Sequence, residues 1–520
     1  MNLIGRTSLK LSFSVGIFFF GILPNMANAY EAPAIRRCGG EIEAKTWEIW
    51  DAQGRAYANK LIQQRLLRDR DVYALYDLEI NFHNLLAMAM LCGRTERLQT
   101  MAKDWIAVYG GLSANKNTNQ ASSPTQNEAY SDQNYQWICG GGRSCNNKNR
   151  LLGKEVRLVS LQGLGLFADL ADALATSKIQ DPSSLSFADR TLDVGLASLL
   201  RWGDSKSINR WIALSKARPD DVRDAGSTLL FTDAELWQIG VYASLAGVLD
   251  SAYGRKYSSQ KEQTILPAHR DALRALLGVF KSRVFLEEIE ASREGKTHRT
   301  KVADLDRGFW RLYKDNRYAG YSGKSPPAVC GKPQGSHQSR PSMNGSVPVV
   351  SDLGWDISHA RRLIPVLKAL DKNREAMKRV YGLSDNELPP KGVAGHFAEQ
   401  IVEKVWNGDA QRPLFSNWLS GANGWYRVAY DNGMRRCVEG YGPWGLSISF
   451  ATGGYAFWSS YNSEIGKIGM SIYKAMNSLE SMDSDFYRQY YAPLVSEGHS
   501  AVDRQIHMLK FYPSLVMGVE

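Results

Sequence analysis

The sequence lacks the patterns that mark several common classes of protein. After residues 1–29, no stretch reaches the roughly 18 uncharged apolar residues of a membrane-spanning helix. Lysine and arginine are spread along the chain instead of forming basic blocks, so a nucleic-acid patch is not indicated. We therefore expect no membrane span and no nucleic-acid partner.

Signatures of metal and nucleophile chemistry are missing as well. The cysteines include no Cys-x-x-Cys pair, and the histidines lack the spacing of zinc ligands. There is no Gly-x-Ser-x-Gly segment of the kind that carries the nucleophile of many serine hydrolases. The sequence thus favours neither a serine hydrolase nor a metalloprotein, and we expect no metal and no other cofactor.

The amino terminus has the features of an export signal. Arg6 and Lys10 stand in its leading part, an apolar run follows from Leu11 to Leu23, and Ala-Asn-Ala occupies positions 27–29. These features predict a signal peptide at residues 1–29, removed to leave a mature chain of residues 30–520. We expect that chain to be periplasmic or secreted.

Cysteine usage agrees with export. An even number of cysteines in an exported protein predicts disulfides, and Cys139 and Cys145 flank a short glycine-rich segment that closes easily into a loop. Pairing of the other four is left open. The six cysteines are Cys38, Cys92, Cys139, Cys145, Cys330 and Cys437.

Hydrophobic periodicity predicts an all-α protein. Helix-length amphipathic runs recur, including one from residue 41 to about 67 and one at 259–292, and strand signals are nearly absent. Segments near 110–150 and 318–350 are rich in Gly, Ser, Asn or Pro and are predicted as long loop insertions. Helix pairs alternating with loops are typical of a ring of helical hairpins, here in a single domain over 30–520.

The stretch 351–370 is the centre of the functional prediction. Its second half has the spacing of a buried helical face, and Asp356 or Ser358 can cap the helix start. Asp356, His359 and Arg362 then share one side of the first two turns, beside Trp355. The alternative is that Asp356 is only a cap and His359 a hydrogen-bonded core residue.

The segment Gly354-Trp355-Asp356, followed by Arg361 or Arg362 and by Pro365, resembles the aromatic-Asp-x-x-Arg-x-Pro segments of (α/α) toroid enzymes that act on polysaccharides. The resemblance implies an incomplete toroid of helical hairpins and a polysaccharide substrate. Both cellulase-like hydrolases and uronate lyases use that architecture. The position of the arginine relative to His359 departs from the hydrolase form.

Residues for each chemistry can be named. A uronate lyase needs a base, an acid and groups that neutralise the substrate carboxylate. An inverting hydrolase instead needs two carboxylates, here Asp356 with Glu79, Asp233 or Glu235. The net charge of +10 favours an anionic polysaccharide, and thus a lyase, with a hydrolase or a non-catalytic glycan-binding protein as alternatives.

The candidates fall into two groups. We predict catalytic roles for His359, Asp356, His83 and Tyr426. We predict substrate contacts for Trp355, Arg362, Glu79, Asn81, Asn423, Trp425, Arg427, Trp444 and Tyr455. Trp425, Trp444 and Tyr455 lie among Gly and Asn and are expected to face solvent, where aromatic rings stack on sugars.

Overall fold

The computed structural model describes residues 38–114, 135–147, 149–177, 181–222, 230–260, 267–293, 295–313, 316, 318–328, 350–428, 430–431, 437–438, 440–477, 484–495 and 500–517. The predicted signal peptide lies outside these residues. So do Cys330 and most of the two predicted insertions, at 115–134 and 329–349.

The described chain is predominantly α-helical, as predicted. The helices are α1 (Glu41–Ile49), α2 (Arg55–Lys60), α3 (Tyr73–Leu91), α4 (Thr95–Trp105), α5 (Arg157–Thr176), α6 (Pro182–Trp202), α7 (Ser205–Lys216), α8 (Asp233–Asp250), α9 (Ala252–Gln260), α10 (Pro267–Arg283), α11 (Ile357–Ala360), α12 (Leu363–Lys372), α13 (Arg374–Tyr381), α14 (Val393–Gln400), α15 (Ile448–Thr452), α16 (Ser463–Asn477), α17 (Ser484–Val495) and α18 (Ala501–Phe511). The π-helical segment Trp50–Gly54 joins α1 to α2, and a second one, Leu61–Arg68, continues α2, so the helix predicted from residue 41 to about 67 is confirmed.

A long hairpin corrects the helix predicted over 259–292. Helix α10 ends at Arg283, and β3 (Val284–Arg293) pairs antiparallel with β4 (Lys296–Leu305). Gly295 has a φ of 75°, the left-handed conformation that a tight hairpin turn requires. Charged strong helix formers in β3 hid the strand signal. The short strands are β1 (Ser113–Ala114), β2 (Tyr135–Gln136), β5 (Tyr430–Asp431) and β6 (Cys437–Val438).

Helices α5 and α8 form the centre of the core. They pack against each other and are buried on nearly all sides, which is typical of helices that are apolar all round. The two helices can approach closely because residue 165 is a glycine. A Cβ at this position would lie 2.5 Å from the ring of Trp237. By length and composition α5 could cross a membrane, but 89% of its apolar window is buried inside the protein. Its burial is that of a core helix.

Two disulfides tie the amino-terminal half of the chain. Cys139–Cys145 is present as predicted, and Cys38–Cys92 links the start of α1 to the end of α3. Disulfides are typical of an oxidising, extracellular-type compartment. The first bridge closes a separation of 6 residues and the second a separation of 54 residues.

Candidate functional site

Asp356 caps helix α11, as predicted. Its Oδ1 accepts hydrogen bonds from the backbone amides of Ser358 and His359, both at 3.1 Å, and from the Ser358 hydroxyl. These contacts satisfy amides that have no partner within the helix. They also fix the carboxylate at the helix start, with its second oxygen turned towards the imidazole of His359.

The Asp356 carboxylate holds the His359 ring. Oδ2 lies 2.7 Å from His359 Nδ1 and 3.3 Å from Nε1 of Trp310, which donates to it. The hydroxyl of Tyr426 lies 3.4 Å from the same His359 nitrogen. In the described part of the chain, both hydrogen bonds of the imidazole are therefore made at Nδ1. Because the Asp356 carboxylate accepts a hydrogen bond from Nδ1, the ring in its neutral form carries its lone pair on Nε2.

Asp356 is ionised despite complete burial. Burial alone would raise its pKa, but the charge and hydrogen bond of His359, the Ser358 hydroxyl and the charge of Arg427 hold that pKa well below its usual range. The two oxygens accept five hydrogen bonds in total. Such a carboxylate can orient an imidazole. All its acceptor sites are already used by these hydrogen bonds.

Arg362 does not join this arrangement, although it follows at the predicted spacing. Its guanidinium lies 3.3 Å from the carboxylate of Asp233 and donates to the backbone carbonyl of Ser358 at 3.2 Å. The side chain is 5% exposed. Arg362 is thus a buried link between the start of α12 and the start of α8.

Two aromatic residues that were predicted to contact substrate lie in the core. The expectation that Tyr455 faces solvent is wrong: it is 1% exposed, and its hydroxyl donates to the carbonyl of Ile357. The Gly-rich segment that suggested exposure brings the chain close to α11 instead. Trp355 is fully buried, with its ring centroid 4.9 Å from that of Trp310. Both residues support α11 from inside the protein.

The loops that carry Tyr426 supply the accessible aromatic residues near His359. Trp425 and Trp444 are half-buried, and Tyr441, which is 47% exposed, stacks on the ring of Tyr426. The backbones of Tyr426 and Tyr441 exchange two hydrogen bonds, at 2.8 and 2.7 Å. Asn423 Oδ1 accepts from the amide of Trp444 at 2.7 Å, which ties the two loops together.

Two of the five described non-glycine residues with a positive φ lie in these loops. Arg427 and Trp444 have φ values of 54° and 65°, a left-handed conformation that side chains other than Gly and Asn rarely adopt. The guanidinium of Arg427 lies over the ring of Tyr426, 5.2 Å from its centroid. Residues held in such conformations cluster at ligand-binding and catalytic sites.

A second ionic cluster lies on α3 and is joined to the first. Arg361 donates to Glu79 at 3.1 Å, and Gln162 donates to the same carboxylate at 3.0 Å. His83 Nδ1 is 3.5 Å from Glu79, and its Nε2 is 2.9 Å from Asp169. Glu79 and His83 are four residues apart on one face of α3, and Arg361 connects them to the segment after His359.

The charges of this cluster stabilise one another. Burial would raise the pKa of Glu79, but Arg361 and His83 lower it to about 2. Burial would lower the pKa of His83, but hydrogen bonds and charges of Asp169 and Glu79 raise it to about 9. His83 therefore stays protonated at neutral pH, which is unfavourable for a general base. Asn81, on the same helix, donates to the carbonyl of Asp77.

One group of potential metal ligands occurs within the described ranges, formed by Cys38, Glu43 and Cys92. The two sulfurs are joined in a disulfide, and metals bind cysteine as thiolate. Glu43 is paired with Arg94, with Nε 2.6 Å from the carboxylate. These residues do not fit a metal ion.

Four residues of the candidate site have contacts that were not predicted from the sequence. Trp310 and Asp169 lie 46 and 86 residues from the partners Asp356 and His83, so their roles depend on long-range packing. Asp233 was considered only as a hydrolase carboxylate and not as the partner of Arg362. Tyr441 could have been found, because it opens the same Gly-rich segment as Trp444.

Comparison with known proteins gives no relative for this arrangement. No family model matches the chain, and no curated protein or solved structure matches it either.

Proposed function

We propose that this protein is an exported lyase that cleaves a uronate-containing polysaccharide by β-elimination, with His359 as the base. The observation that carries the proposal is the buried hydrogen bond between Asp356 and His359 Nδ1, which leaves the lone pair on Nε2. An oriented imidazole with its lone pair on Nε2 is suited to remove a proton from carbon.

The elimination balances with His359 alone as proton carrier. Nε2 takes the proton from C5 of the uronate, the C5–H electron pair forms the C4–C5 double bond, and the C4–O bond breaks. The imidazolium then returns its proton to the departing oxygen. Asp356 stabilises the imidazolium through the ion pair at Nδ1.

Groups of suitable chemistry lie on the loops that carry Tyr426, whose hydroxyl contacts the proposed base. The positive charge of Arg427 contributes to the lowered pKa of Asp356, and Arg427 is our candidate for neutralising the substrate carboxylate. Asn423 is the candidate for binding hydroxyls. Trp425, Trp444 and Tyr441 offer partly exposed rings on which sugars can stack.

Tyr426 is better suited to position His359 than to protonate the leaving group. Its hydroxyl is on the Nδ1 side of the ring, and the residue is 1% exposed. We therefore assign it as a positioning residue. Six of the predicted site residues are buried or held in ion pairs, which favours a role in supporting the site over direct contact with substrate. They are Trp355, Arg362, Glu79, Asn81, His83 and Tyr455.

The hydrolase alternative loses support because its four proposed carboxylates are engaged elsewhere. Asp356 is saturated with donors, Glu79 is paired with Arg361, and Asp233 is paired with Arg362. Glu235 closes a capping box with Thr232 and is paired with two arginines. An inverting hydrolase needs one of these groups free to activate water.

We extend the proposal to the architecture and the compartment. An incomplete (α/α) toroid is supported by the packing of α3 on α5, α5 on α8 and α8 on α12, which brings helix pairs around shared buried helices. A periplasmic or secreted location is supported by the two disulfides. Mass spectrometry of the protein from the cell envelope should show a chain that starts near residue 30.

The test is incubation of the mature protein with a panel of acidic and neutral polysaccharides. A lyase produces both ultraviolet absorbance from unsaturated uronate and new reducing ends, on acidic polymers only. New reducing ends without absorbance would identify a hydrolase. Binding without either signal would identify a glycan-binding protein and overturn the proposal.

A further inference from the structure

A small polar cavity of about 70 Å³ lies beside the β3–β4 hairpin. On its other side is the end of α14 with the π-helical segment that continues it, Ile401–Val405. The hairpin contributes residues that pair across its two strands, and such residues lie on the same face of a ladder. The hairpin residues are Phe285, Glu287, Val302 and Asp304, and Gln400 and Ser420 line the cavity with them.

The Asp304 carboxylate on this lining has an unused acceptor. The residue is 3% exposed, and its Oδ1 accepts from the backbone amide of Leu305 at 2.7 Å. Within the described ranges, no donor reaches Oδ2. The carboxylate fits here because residue 354 is a glycine, at which a Cβ would lie 2.0 Å from Oδ1. The fold thus makes room for a buried carboxylate without supplying a donor for one of its oxygens.

Two further oxygens on the lining can accept hydrogen bonds. The Ser420 hydroxyl is buried and has no hydrogen-bond partner in the part of the chain that the structure describes. Gln400 donates from its amide nitrogen to the carbonyl of Leu419 at 2.6 Å, which leaves its side-chain oxygen as an acceptor. A ligand that satisfies these groups together with Asp304 must therefore carry several donors.

The cations on the lining do not neutralise Asp304. Arg307 donates to Glu287 at 3.3 Å and to Asp352 at 2.7 Å, so two other carboxylates share its single charge. Lys404 is exposed, where water screens its ammonium. Among the described residues, ionised Asp304 thus has no counter-ion in contact with it.

Burial makes the missing counter-ion costly. It raises the pKa of Asp304 to about 7, and the charges of Asp306 and Asp352 add to the effect, against the Leu305 amide and the charge of Arg307. A water molecule in the cavity would donate to Oδ2 but would leave the charge in place. A cation with N–H groups would satisfy the oxygen and neutralise the charge.

We propose that this cavity binds a small primary ammonium ion, whose N–H groups donate to Asp304, Ser420 and Gln400. At roughly 30 Å³ for one water-sized group, the space admits a molecule of about two or three heavy atoms, the size of ethylammonium. A divalent metal is not favoured, because the described residues bring no three acidic, histidine or cysteine ligands together here. The inference concerns a site other than that of His359 and does not rest on the proposed β-elimination.

The test is calorimetric titration of the mature full-length protein at pH 8 and constant ionic strength. The probes are ethylammonium, ethanol as a neutral molecule of the same size, and tetramethylammonium as a cation without N–H groups. We expect ethylammonium to bind with a Kd of about 1 mM, near the limit for three heavy atoms. It should bind at least about tenfold more tightly than either other probe, the usual scale of one charge-assisted hydrogen bond.

Asp304→Asn should remove that preference, because it removes the charge and keeps the shape. Glu288→Gln is the matched control and should bind ethylammonium normally. It also removes one negative charge from the hairpin, but residue 288 is exposed and lies on the opposite face of β3 from Glu287. Affinity should fall about tenfold for each pH unit below about 7, as Asp304 takes up a proton, and stay constant between pH 8 and 9.

A filling substitution gives a second measurement. Ser420→Leu should abolish ethylammonium binding while the circular dichroism spectrum stays that of the unmodified protein. Absence of binding by the unmodified protein at about 20 mM ethylammonium would overturn the site. Equal binding by Asp304→Asn, or equal affinity for tetramethylammonium, would overturn the role of the carboxylate. Displacement of ethylammonium by an equal concentration of potassium would assign the cavity to a metal ion and overturn the proposed amine.

Discussion

Replacement of Asp356 by asparagine separates orientation of His359 from the other work of this carboxylate. The asparagine oxygen can keep the contacts of Oδ1 with the amides of Ser358 and His359, so the helix cap, worth about 1 kcal/mol, is retained. Its amide nitrogen then replaces Oδ2 and faces two donors, His359 Nδ1 and Trp310 Nε1. A donor facing donors costs about 1 to 3 kcal/mol when buried.

The same change switches the tautomer of the His359 imidazole. To accept from the asparagine amide, Nδ1 must lose its proton, and the proton moves to Nε2, where it removes the lone pair of the proposed base. We expect turnover to fall by roughly 10²-fold or more, the usual contribution of general base catalysis, with a loss of about 1 to 3 kcal/mol of unfolding free energy. Initial rates of unsaturated product formation and urea unfolding measure the two effects.

Ser358→Ala is the matched control for this substitution. It removes only the hydroxyl bond to Oδ1 of Asp356 and leaves the bond to His359 intact. It should cost about 1 kcal/mol and leave turnover within a few-fold. A stable Asp356→Asn protein with unchanged turnover would refute the orientation argument. Loss of turnover in Asp356→Asn, together with normal turnover in His359→Ala, would make the carboxylate itself the reactive group.

Two further predictions concern stability. The raised pKa of His83 contributes stability that is fully present below the pKa of the unfolded state, near 6.5. This contribution is lost as the pH rises through about 9, so the unfolding free energy should fall between these two pH values. The fall should be absent in His83→Gln, and an equal slope in both proteins would contradict the assignment. Removal of the Cys38–Cys92 bridge, which spans 54 residues, should cost about 4 kcal/mol in the chain-entropy account, against about 2 kcal/mol for Cys139–Cys145, which spans 6. Urea unfolding of the paired Cys→Ser variants measures both, and a larger loss for the short loop would contradict the ranking.

The helical character of the chain could be predicted because it is written in local periodicity. In α3, for example, Leu78 and Phe82 are four residues apart, which places them on one face of the helix, and both are fully buried. The hairpin of β3 and β4 could not be predicted in the same way. Its first strand is rich in glutamate, a strong helix former, and continues directly from α10. The pairing with β4 overrides that local preference.

The same distinction between local and long-range contacts applies to the candidate site. The contact between Asp356 and His359 could be predicted because residues three apart lie on one face of a helix turn. The ion pair of Arg362 could not be predicted, because its partner Asp233 is far away in the sequence and is brought close by the packing of α12 on α8. Burial of Tyr455 was missed for a related reason. Glycine neighbours indicate a turn but not which side of the turn the protein covers.

In the proposed mechanism, His359 removes the C5 proton of a uronate. The direct measurement is the rate of unsaturated product formation by His359→Gln on the best acidic polysaccharide of the panel, with binding of that polymer and unfolding free energy measured on the same preparation. We predict a loss of roughly 10²-fold or more in turnover, with polymer affinity and folding retained. Turnover within a few-fold of the unmodified protein, in a variant that is folded and binds the polymer, would contradict the account.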